Sequence, residues 1–248
     1  MSHPIVHFEV MSKDQAKAKA FYTSVFGWET EDWPMPDGLY LGVKAKDGGV
    51  GGGIGAMPGP APAMATCYVE VADPQASLDS AVANGATLMQ PVTDLGMVVI
   101  AMFADPEGHP IGLVKSDPTQ GAHEHEHVAA TEGAVEWFEV IGKDGAKLRD
   151  FYQKVFGWEI QVMPGDMDYG MADTKAGGIG AGIGTGPNGQ SYQAFYIHTA
   201  DITAKLKQIE AAGGKTIMPE TDMGMIVFAM FTDPEGVVLG LVHEGKQG

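Results

Sequence analysis

The fold is decided by the stretch TDLGMVVIAMFADPEG, Thr93–Gly108, which occurs again as TDMGMIVFAMFTDPEG, Thr221–Gly236. Twelve of the sixteen positions are identical, at an offset of 128 residues. A second pair agrees with the first, because FYTSVFGWE at Phe21–Glu29 returns as FYQKVFGWE at Phe151–Glu159. Each copy is too long to be one unit of a solenoid, so the chain is a tandem duplication of a domain.

The length of 248 residues suffices for two domains of ordinary size. We predict a first domain at 1–117, a linker at 118–133 and a second domain at 134–248. The linker holds the run HEHEH, His123–His127, whose histidines have metal-ligand spacing on an extended chain. Glycine and alanine flank this run, which favours a solvated segment over a built metal site.

The composition indicates which classes of binding partner are unfavourable and which cellular compartment fits the protein. Fifteen Lys and Arg residues against thirty-two Asp and Glu residues give a formal charge of −17, which disfavours nucleic acid and anionic membranes as partners. The single cysteine, Cys67, has no internal disulfide partner and fits a reducing, cytoplasmic location. The N-terminal sequence lacks the pattern of a signal peptide, and no apolar run has the length of a membrane span.

Local patterns predict the order of elements. Ile5–Val10 alternates as a strand does, with His7 and Glu9 on one face. Ser12 and Gln15 form a capping-box pattern before a helix that ends at Gly27. Strands follow, one of them glycine-rich, and then the same order of strand, helix and strands begins again. Each half of the chain is therefore predicted to be βαβββ written twice.

At this point the sequence resembles the vicinal oxygen chelate superfamily, which includes glyoxalase I, extradiol dioxygenases and bleomycin-resistance proteins. The resemblance rests on FYxxVFGW at the end of the first helix and DPEG before the last strand, each present twice. Its two-domain, glyoxalase-like branch is the nearest in pattern. The resemblance implies an α+β fold of two tandem domains, each built from two βαβββ units that form a curled, cup-shaped mixed sheet.

The resemblance also implies where a divalent metal would be held, on the first, fourth, fifth and eighth strands of each cup. In the first half these positions fall on His7, on a residue within Gly51–Ala56, at or beside Thr66, and on Gly112. In the second half they fall on Trp137, a residue within Gly178–Gly184, Ala194 and Gly240. Only His7 is a residue type that binds metal well, so we predict no standard four-ligand site. A non-standard divalent metal site at His7, joined by Glu9 or Glu70, stays open as an alternative.

Alternation predicts which side chains face the cups, and these are our candidate site residues. Two roles are assigned: acid–base catalysis to Glu9, Glu70, Glu139 and His198, and ligand binding to His7, Tyr68, Trp137 and Tyr196. Aromatic walls with a few polar groups are typical of a small-molecule pocket. A carboxylate that is desolvated beside an aromatic ring has a raised pKa and can act as a general acid or base. The alternative is that Glu9 and Glu139 lie at the solvent-exposed rim of the cups or pair across the domain interface.

Three functions follow as hypotheses. The first is a glyoxalase-like protein that binds a small organic molecule in one or both cups without the usual metal site. The second is a metal-dependent lyase or dioxygenase with a site rebuilt around His7. The third is a non-catalytic binding or sequestering protein of the resistance type. Whether the protein is an enzyme is left open, as is the choice between a monomer with internally paired domains and a homodimer.

Overall fold

The computed structural model describes residues 3–35, 38–57, 59–115, 128–165, 167–174 and 178–245. The predicted linker run at 123–127 lies outside the described residues. The first half has the order strand, helix, three strands, repeated once: β1 Ile5–Ser12, α1 Gln15–Phe26, β2 Thr30–Met35, β3 Gly38–Val43, β4 Gly51–Ala56, β5 Met64–Val71, α2 Pro74–Ala83, β6 Thr87–Asp94, β7 Val99–Ala104 and β8 Pro110–Lys115.

The second half repeats that order. Its elements are β9 Val135–Gly142, α3 Gly145–Phe156, β10 Glu159–Val162, β11 Tyr169–Asp173, β12 Gly180–Thr185, β13 Tyr192–His198, α4 Ile202–Ala211, β14 Lys215–Asp222, β15 Ile226–Thr232 and β16 Val238–Glu244, with one short 3₁₀ turn at Pro187–Gly189 before β13. The prediction of a double βαβββ in each half is therefore confirmed.

Each half forms one eight-stranded mixed sheet. The strand orders are β2-β3-β4-β1-β5-β8-β7-β6 and β10-β11-β12-β9-β13-β16-β15-β14. Most neighbours are antiparallel, whereas β5–β8, β9–β12 and β13–β16 run parallel. The equivalent order in both sheets agrees with the sequence duplication and with the predicted α+β class.

The ends of the helices follow from local chemistry, with one correction. Gly27 ends α1 in the left-handed region at φ 64°, which glycine adopts without a side-chain penalty. The predicted capping box at Ser12 is wrong: the N-cap is Asp14, whose carboxylate accepts the backbone N–H of Lys17. Ser12 instead donates its hydroxyl to Glu235, at 2.5 Å.

The chain packs as two compact units, and neither unit coincides with one half of the sequence. The first comprises the described residues within 3–7, 66–115 and 137–193, and the second those within 8–65, 128–136 and 194–245. Each unit thus packs one βαβββ module of the first half with one of the second half. No helix among the described residues combines the length and the apolar character that crossing a membrane would need.

Within each unit the two repeated motifs are partners. The Tyr22 hydroxyl of the first FYxxVFGW donates to Asp233 of the second DPEG at 3.0 Å, and Tyr152 donates to Asp105 at 2.9 Å. Burial, followed by the neighbouring carboxylate, raises the pKa of both tyrosines. The glutamate of each DPEG accepts backbone N–H groups at the start of a helix, as Glu107 does from Asp144 at 2.8 Å. The two motifs therefore recur together because they bind each other.

Aromatic side chains fill the centre of each unit. Trp28 stacks on Tyr22 in the second unit, with ring centroids 4.8 Å apart, and Trp158 stacks on Tyr152 in the first, with ring centroids 5.6 Å apart. All four rings are buried. Each large ring contributes on the order of 2 kcal/mol or more through the apolar area that it removes from water. The FYxxVFGW motif is thus a core motif of the fold.

Candidate functional site

The clearest cluster of polar and aromatic side chains lies in the first unit, around Glu139 on β9. Glu139 is only 8% exposed, and the Tyr192 hydroxyl donates to its Oε2 at 3.1 Å. The Tyr169 hydroxyl also hydrogen-bonds this carboxylate, while Trp137 Nε1 donates to the Tyr169 oxygen at 3.3 Å. Trp137 and Glu139 were predicted site residues, and Tyr169 is the link between them.

The surroundings of Tyr169 keep its hydroxyl group protonated. Burial, and then the nearby Glu139 carboxylate, raises the pKa of Tyr169 well above its usual range. Tyr169 is therefore a neutral donor near pH 7. A carboxylate that accepts two phenol O–H groups is oriented before any ligand arrives, and its two oxygens can accept an N–H or O–H group of a ligand as well.

Glycines on β12 make room for the aromatic rings of this cluster. A Cβ atom at Gly182 would lie closer than 3.0 Å to Tyr169, and one at Gly180 would overlap Trp137. Arg149 anchors the start of β11, because its guanidinium pairs with Asp168 and donates to the Ile183 carbonyl at 3.2 Å. The Thr185 hydroxyl bond and the Arg149 charge lower the pKa of Asp168 and keep it ionised.

A related arrangement lies in the second unit, around Glu9. Glu9 is 6% exposed and lines a cleft of about 160 Å³ together with Tyr40, Met11, Met35 and Leu39. Tyr40 lies against Gly53 of β4 as Tyr169 lies against Gly182 of β12. The predicted inward direction of Glu9 thus coincides with a small cleft in which a ligand could sit.

Two further tyrosines cover the glycines of the last strands. A Cβ atom at Gly112 would lie 2.6 Å from Cγ of Tyr68, and one at Gly240 would lie 2.6 Å from Cγ of Tyr196. The register pairs the same residues, Tyr68 with Gly112 and Tyr196 with Gly240. Both tyrosines are buried. The space next to the backbone at these two glycines is therefore filled by an aromatic ring.

The remaining predicted site residues are placed as follows. His7 is half-buried and edge-on to Tyr68, with ring centroids 5.7 Å apart, and burial lowers the pKa of His7 to about 4. Glu70 is half-buried on β5, where its backbone N–H donates to the Pro4 carbonyl. His198 pairs through Nδ1 with Glu136 at 2.9 Å.

Glu136, Tyr40 and Tyr169 were not among the predicted site residues. Burial raises the pKa of Glu136, against the opposing effect of His198. Glu136 has no acidic counterpart in the first half, where Val6 stands at its position, so the repeat does not single it out. Tyr40 and Tyr169 differ by 129 positions rather than 130 because the preceding loops differ, so a simple offset misses their equivalence.

No metal-binding cluster is formed by the side chains that the structure describes. Nowhere in that part of the chain do three His, Cys, Asp or Glu side chains come together in a way that could hold an ion. Cys67 is buried, and burial raises the pKa of its thiol well above the usual value, which disfavours the reactive thiolate.

Comparison with known proteins identifies the family. Residues 134–241 match the family described as the Glyoxalase/Bleomycin resistance protein/Dioxygenase superfamily, and residues 7–114 match the Glyoxalase-like domain. “Putative glyoxylase CFP32” of Mycobacterium tuberculosis is 28% identical and aligns over 96% of this chain and 94% of its own length. “Anthracycline biosynthesis protein DauV” of Streptomyces sp. strain C5 is 24% identical, over 95% and 91% of the two chains.

Solved structures share the fold at low sequence identity. The 2,3-dioxygenase LapB from Pseudomonas sp. KL28 superposes with a TM-score of 0.67 at 14% identity, over 100% of this chain and 95% of that one. The Mn(II)-bound glyoxalase from Novosphingobium aromaticivorans gives a TM-score of 0.62 at 15% identity, over 99% and 83%. These likenesses show a shared fold alone. With both halves matched in tandem, this chain belongs to the glyoxalase, bleomycin resistance protein and dioxygenase superfamily.

Proposed function

We propose that this protein binds a small organic molecule in a cup of one or both domains, without the four-ligand metal site of its metal-dependent relatives. The observation that carries the proposal is the set of four glycine–tyrosine pairs: Gly53–Tyr40, Gly112–Tyr68, Gly182–Tyr169 and Gly240–Tyr196. Gly112 and Gly240 stand at the expected eighth-strand ligand positions, and Gly53 and Gly182 lie in the expected fourth-strand windows. A carboxylate or imidazole side chain at these positions would collide with a ring.

The residues present do not fit a divalent metal in the usual way. His7 is neutral at pH 7, and its lone pair suits a metal, but the first half offers no carboxylate or second imidazole at the other three expected positions. Replacing a glycine at one of these positions by a metal-binding side chain would require a tyrosine ring to move as well. The metal-dependent lyase or dioxygenase around His7 is therefore a weaker hypothesis than binding without the usual metal site.

The second half supplies the best-defined binding chemistry. Glu139 offers a preoriented acceptor, Tyr169 and Tyr192 offer phenol groups, and Trp137 offers an aromatic wall. We infer a ligand that has a planar, partly apolar body and at least one N–H or O–H group for Glu139. The names of the anthracycline biosynthesis relatives support a ring-containing molecule of this kind.

The proposal is tested by ligand-induced thermal stabilisation with a panel of catechols and hydroxyanthraquinones. A ligand at about 100 times its Kd adds roughly 2.7 kcal/mol, which raises Tm by roughly 5–10 °C in a protein of this size. We expect Glu139→Gln to weaken binding at least tenfold. Tyr169→Phe and its matched control Tyr40→Phe distinguish the two halves, because each removes one equivalent hydroxyl.

The outcomes separate the hypotheses. Stabilisation that Tyr169→Phe weakens and Tyr40→Phe leaves intact assigns the ligand to the second half, and the reverse assigns it to the first. If a ligand stabilises the protein and chromatography shows that the ligand is not converted, the non-catalytic sequestering function is favoured over an enzyme. If the substitutions of Glu139, Tyr169 and Tyr40 all leave ligand binding unchanged, the proposed site is wrong.

A further inference from the structure

A second group of polar side chains lies in the first unit. Asp105, His109 and Ser191 form a series in which each side chain is within hydrogen-bond distance of the next. His109 Nδ1 is 2.9 Å from Asp105 Oδ2, and His109 Nε2 is 2.9 Å from Ser191 Oγ. Asp105 is 2% exposed and His109 is 5% exposed, whereas Ser191 is exposed to solvent. A buried acid, a buried imidazole and an accessible hydroxyl in this order have the geometry that activates a serine nucleophile.

The surroundings of Asp105 fix the tautomer of His109. Asp105 Oδ1 accepts the backbone N–H groups of Glu107 and His109, and Oδ2 accepts the Tyr152 hydroxyl. An acceptor with these donors around it is a carboxylate, so His109 Nδ1 carries the proton that it shares with Oδ2. The other ring nitrogen, Nε2, then presents its lone pair to the Ser191 hydroxyl. This is the arrangement in which the imidazole can act as a base.

The matched loop in the second unit shows that the fold does not need this arrangement. Asp233 makes the equivalent bonds, accepting Glu235 N–H, Val237 N–H and the Tyr22 hydroxyl. Val237 stands in the place of His109 and is buried at 3% exposure. The DPEG loop therefore closes equally well with an apolar side chain. His109 and its contact with Ser191 are additions that the first unit alone carries, in the described part of the chain.

The position of Ser191 gives it access to a ligand. It lies directly after the turn at Pro187–Gly189 and Gln190, and directly before β13. The turn bends sharply, with Asn188 at φ 57° and Gly189 at φ 72°. Tyr192, the next residue, points its hydroxyl to Glu139, while Ser191 points to His109. The series thus shares no side chain with the cluster around Glu139.

We propose that Ser191 is a nucleophile that accepts acyl groups from small carboxylic esters, with His109 as its base and Asp105 as the residue that positions His109. Ser191 Oγ bonds to the ester carbonyl carbon while its proton passes to His109 Nε2. The ester C–O bond then breaks, and the departing alcohol takes that proton. Water releases the acyl group as a carboxylic acid by the same proton transfers. The proposal is independent of what the cups bind.

The test uses the full-length protein and a fluorophosphonate probe. In that reaction the Ser191 oxygen bonds to phosphorus, fluoride leaves, and the proton passes to His109. Intact-mass and peptide mass spectrometry locate the label, and p-nitrophenyl acetate reports acylation through the release of nitrophenolate. We expect one label per chain, at Ser191, that is absent in Ser191→Ala. His109→Val, which copies the second unit, should lower the labelling rate by about 100-fold or more.

A matched pair of variants separates activation from stability. Asp105→Asn and Asp233→Asn disturb equivalent networks, and both should lower Tm by similar amounts. Only Asp105→Asn should slow the labelling of Ser191, because the amide disfavours the tautomer with a free Nε2. Labelling that is spread over many serines, or that persists at the same rate in His109→Val, overturns the proposal. So does equal loss of labelling in Asp105→Asn and Asp233→Asn.

Discussion

Gly240→Ala tests whether a tyrosine ring fills the eighth-strand position. The added Cβ would overlap Cδ1 of Tyr196, its nearest atom, and would lie 2.6 Å from Cγ, where carbon atoms prefer about 3.5–4.0 Å, so the ring or the strand must move by roughly 1.5 Å. Gly240 is paired on both sides, with Tyr196 and with Met230, so β16 has little freedom to shift. Overpacking of this kind costs about 1–3 kcal/mol, slightly offset by the lower entropy of alanine in the unfolded chain.

We therefore expect Gly240→Ala to lower Tm by roughly 4–8 °C, measured by calorimetry or circular dichroism. The matched backgrounds are Tyr196→Phe, which keeps the ring, and Tyr196→Ala, which removes it. The cost of Gly240→Ala should persist with phenylalanine and nearly vanish with alanine, which gives a coupling energy of about 2 kcal/mol. A loss below about 0.5 kcal/mol, which is the error of such a comparison, or an equal loss in the Tyr196→Ala background, would refute the reasoning.

Two further predictions concern charge. His7 has a folded-state pKa of about 4, lowered from 6.5, so the unfolded state binds the extra proton and stability falls as pH drops from about 6.5 towards 4, by up to about 3 kcal/mol. His7→Asn should flatten this part of a urea-denaturation pH series, and an unchanged slope would contradict the burial of a neutral imidazole. Lys205→Met should cost about 1–3 kcal/mol, because the buried ammonium donates to the Val25 carbonyl at 2.8 Å and pairs with Glu132 at 2.9 Å. A urea midpoint equal to that of the unsubstituted protein would show that neither contact contributes.

The fold was largely predictable because its determinants are local and appear twice. Alternation marks β1, the FYxxVFGW aromatics mark the apolar side of α1, and Gly27 marks its end. The capping residue of α1 was placed two positions too early: the Ser12 hydroxyl donates to Glu235 and accepts the Asp14 N–H, whereas the Asp14 carboxylate accepts the Lys17 N–H at the start of the helix. The domain boundaries at 117 and 134 stay a prediction.

The site was predictable only in part. Alternation predicts that Glu9, Glu139 and Trp137 face the cups, but it does not single out Tyr40 and Tyr169, which come from neighbouring strands after loops of unequal length. DPEG forms a turn before the last strand, and Asp105 of this turn also accepts the hydroxyl of Tyr152, 47 positions further along the chain. The Asp105–His109–Ser191 series includes a contact between residues 82 positions apart, and no local pattern connects them. Such groups become visible only when the strands are in place.

The most direct test of the central claim is the metal content of untagged protein that has been purified without chelators, measured by elemental mass spectrometry beside His7→Ala. The protein would be incubated with nickel, zinc, iron or manganese and then desalted. Because tyrosine rings occupy the space at Gly53, Gly112, Gly182 and Gly240, we predict far less than one ion per chain and no difference between the two proteins. About one ion per chain that is lost in His7→Ala would contradict the account and establish a metal site rebuilt around His7.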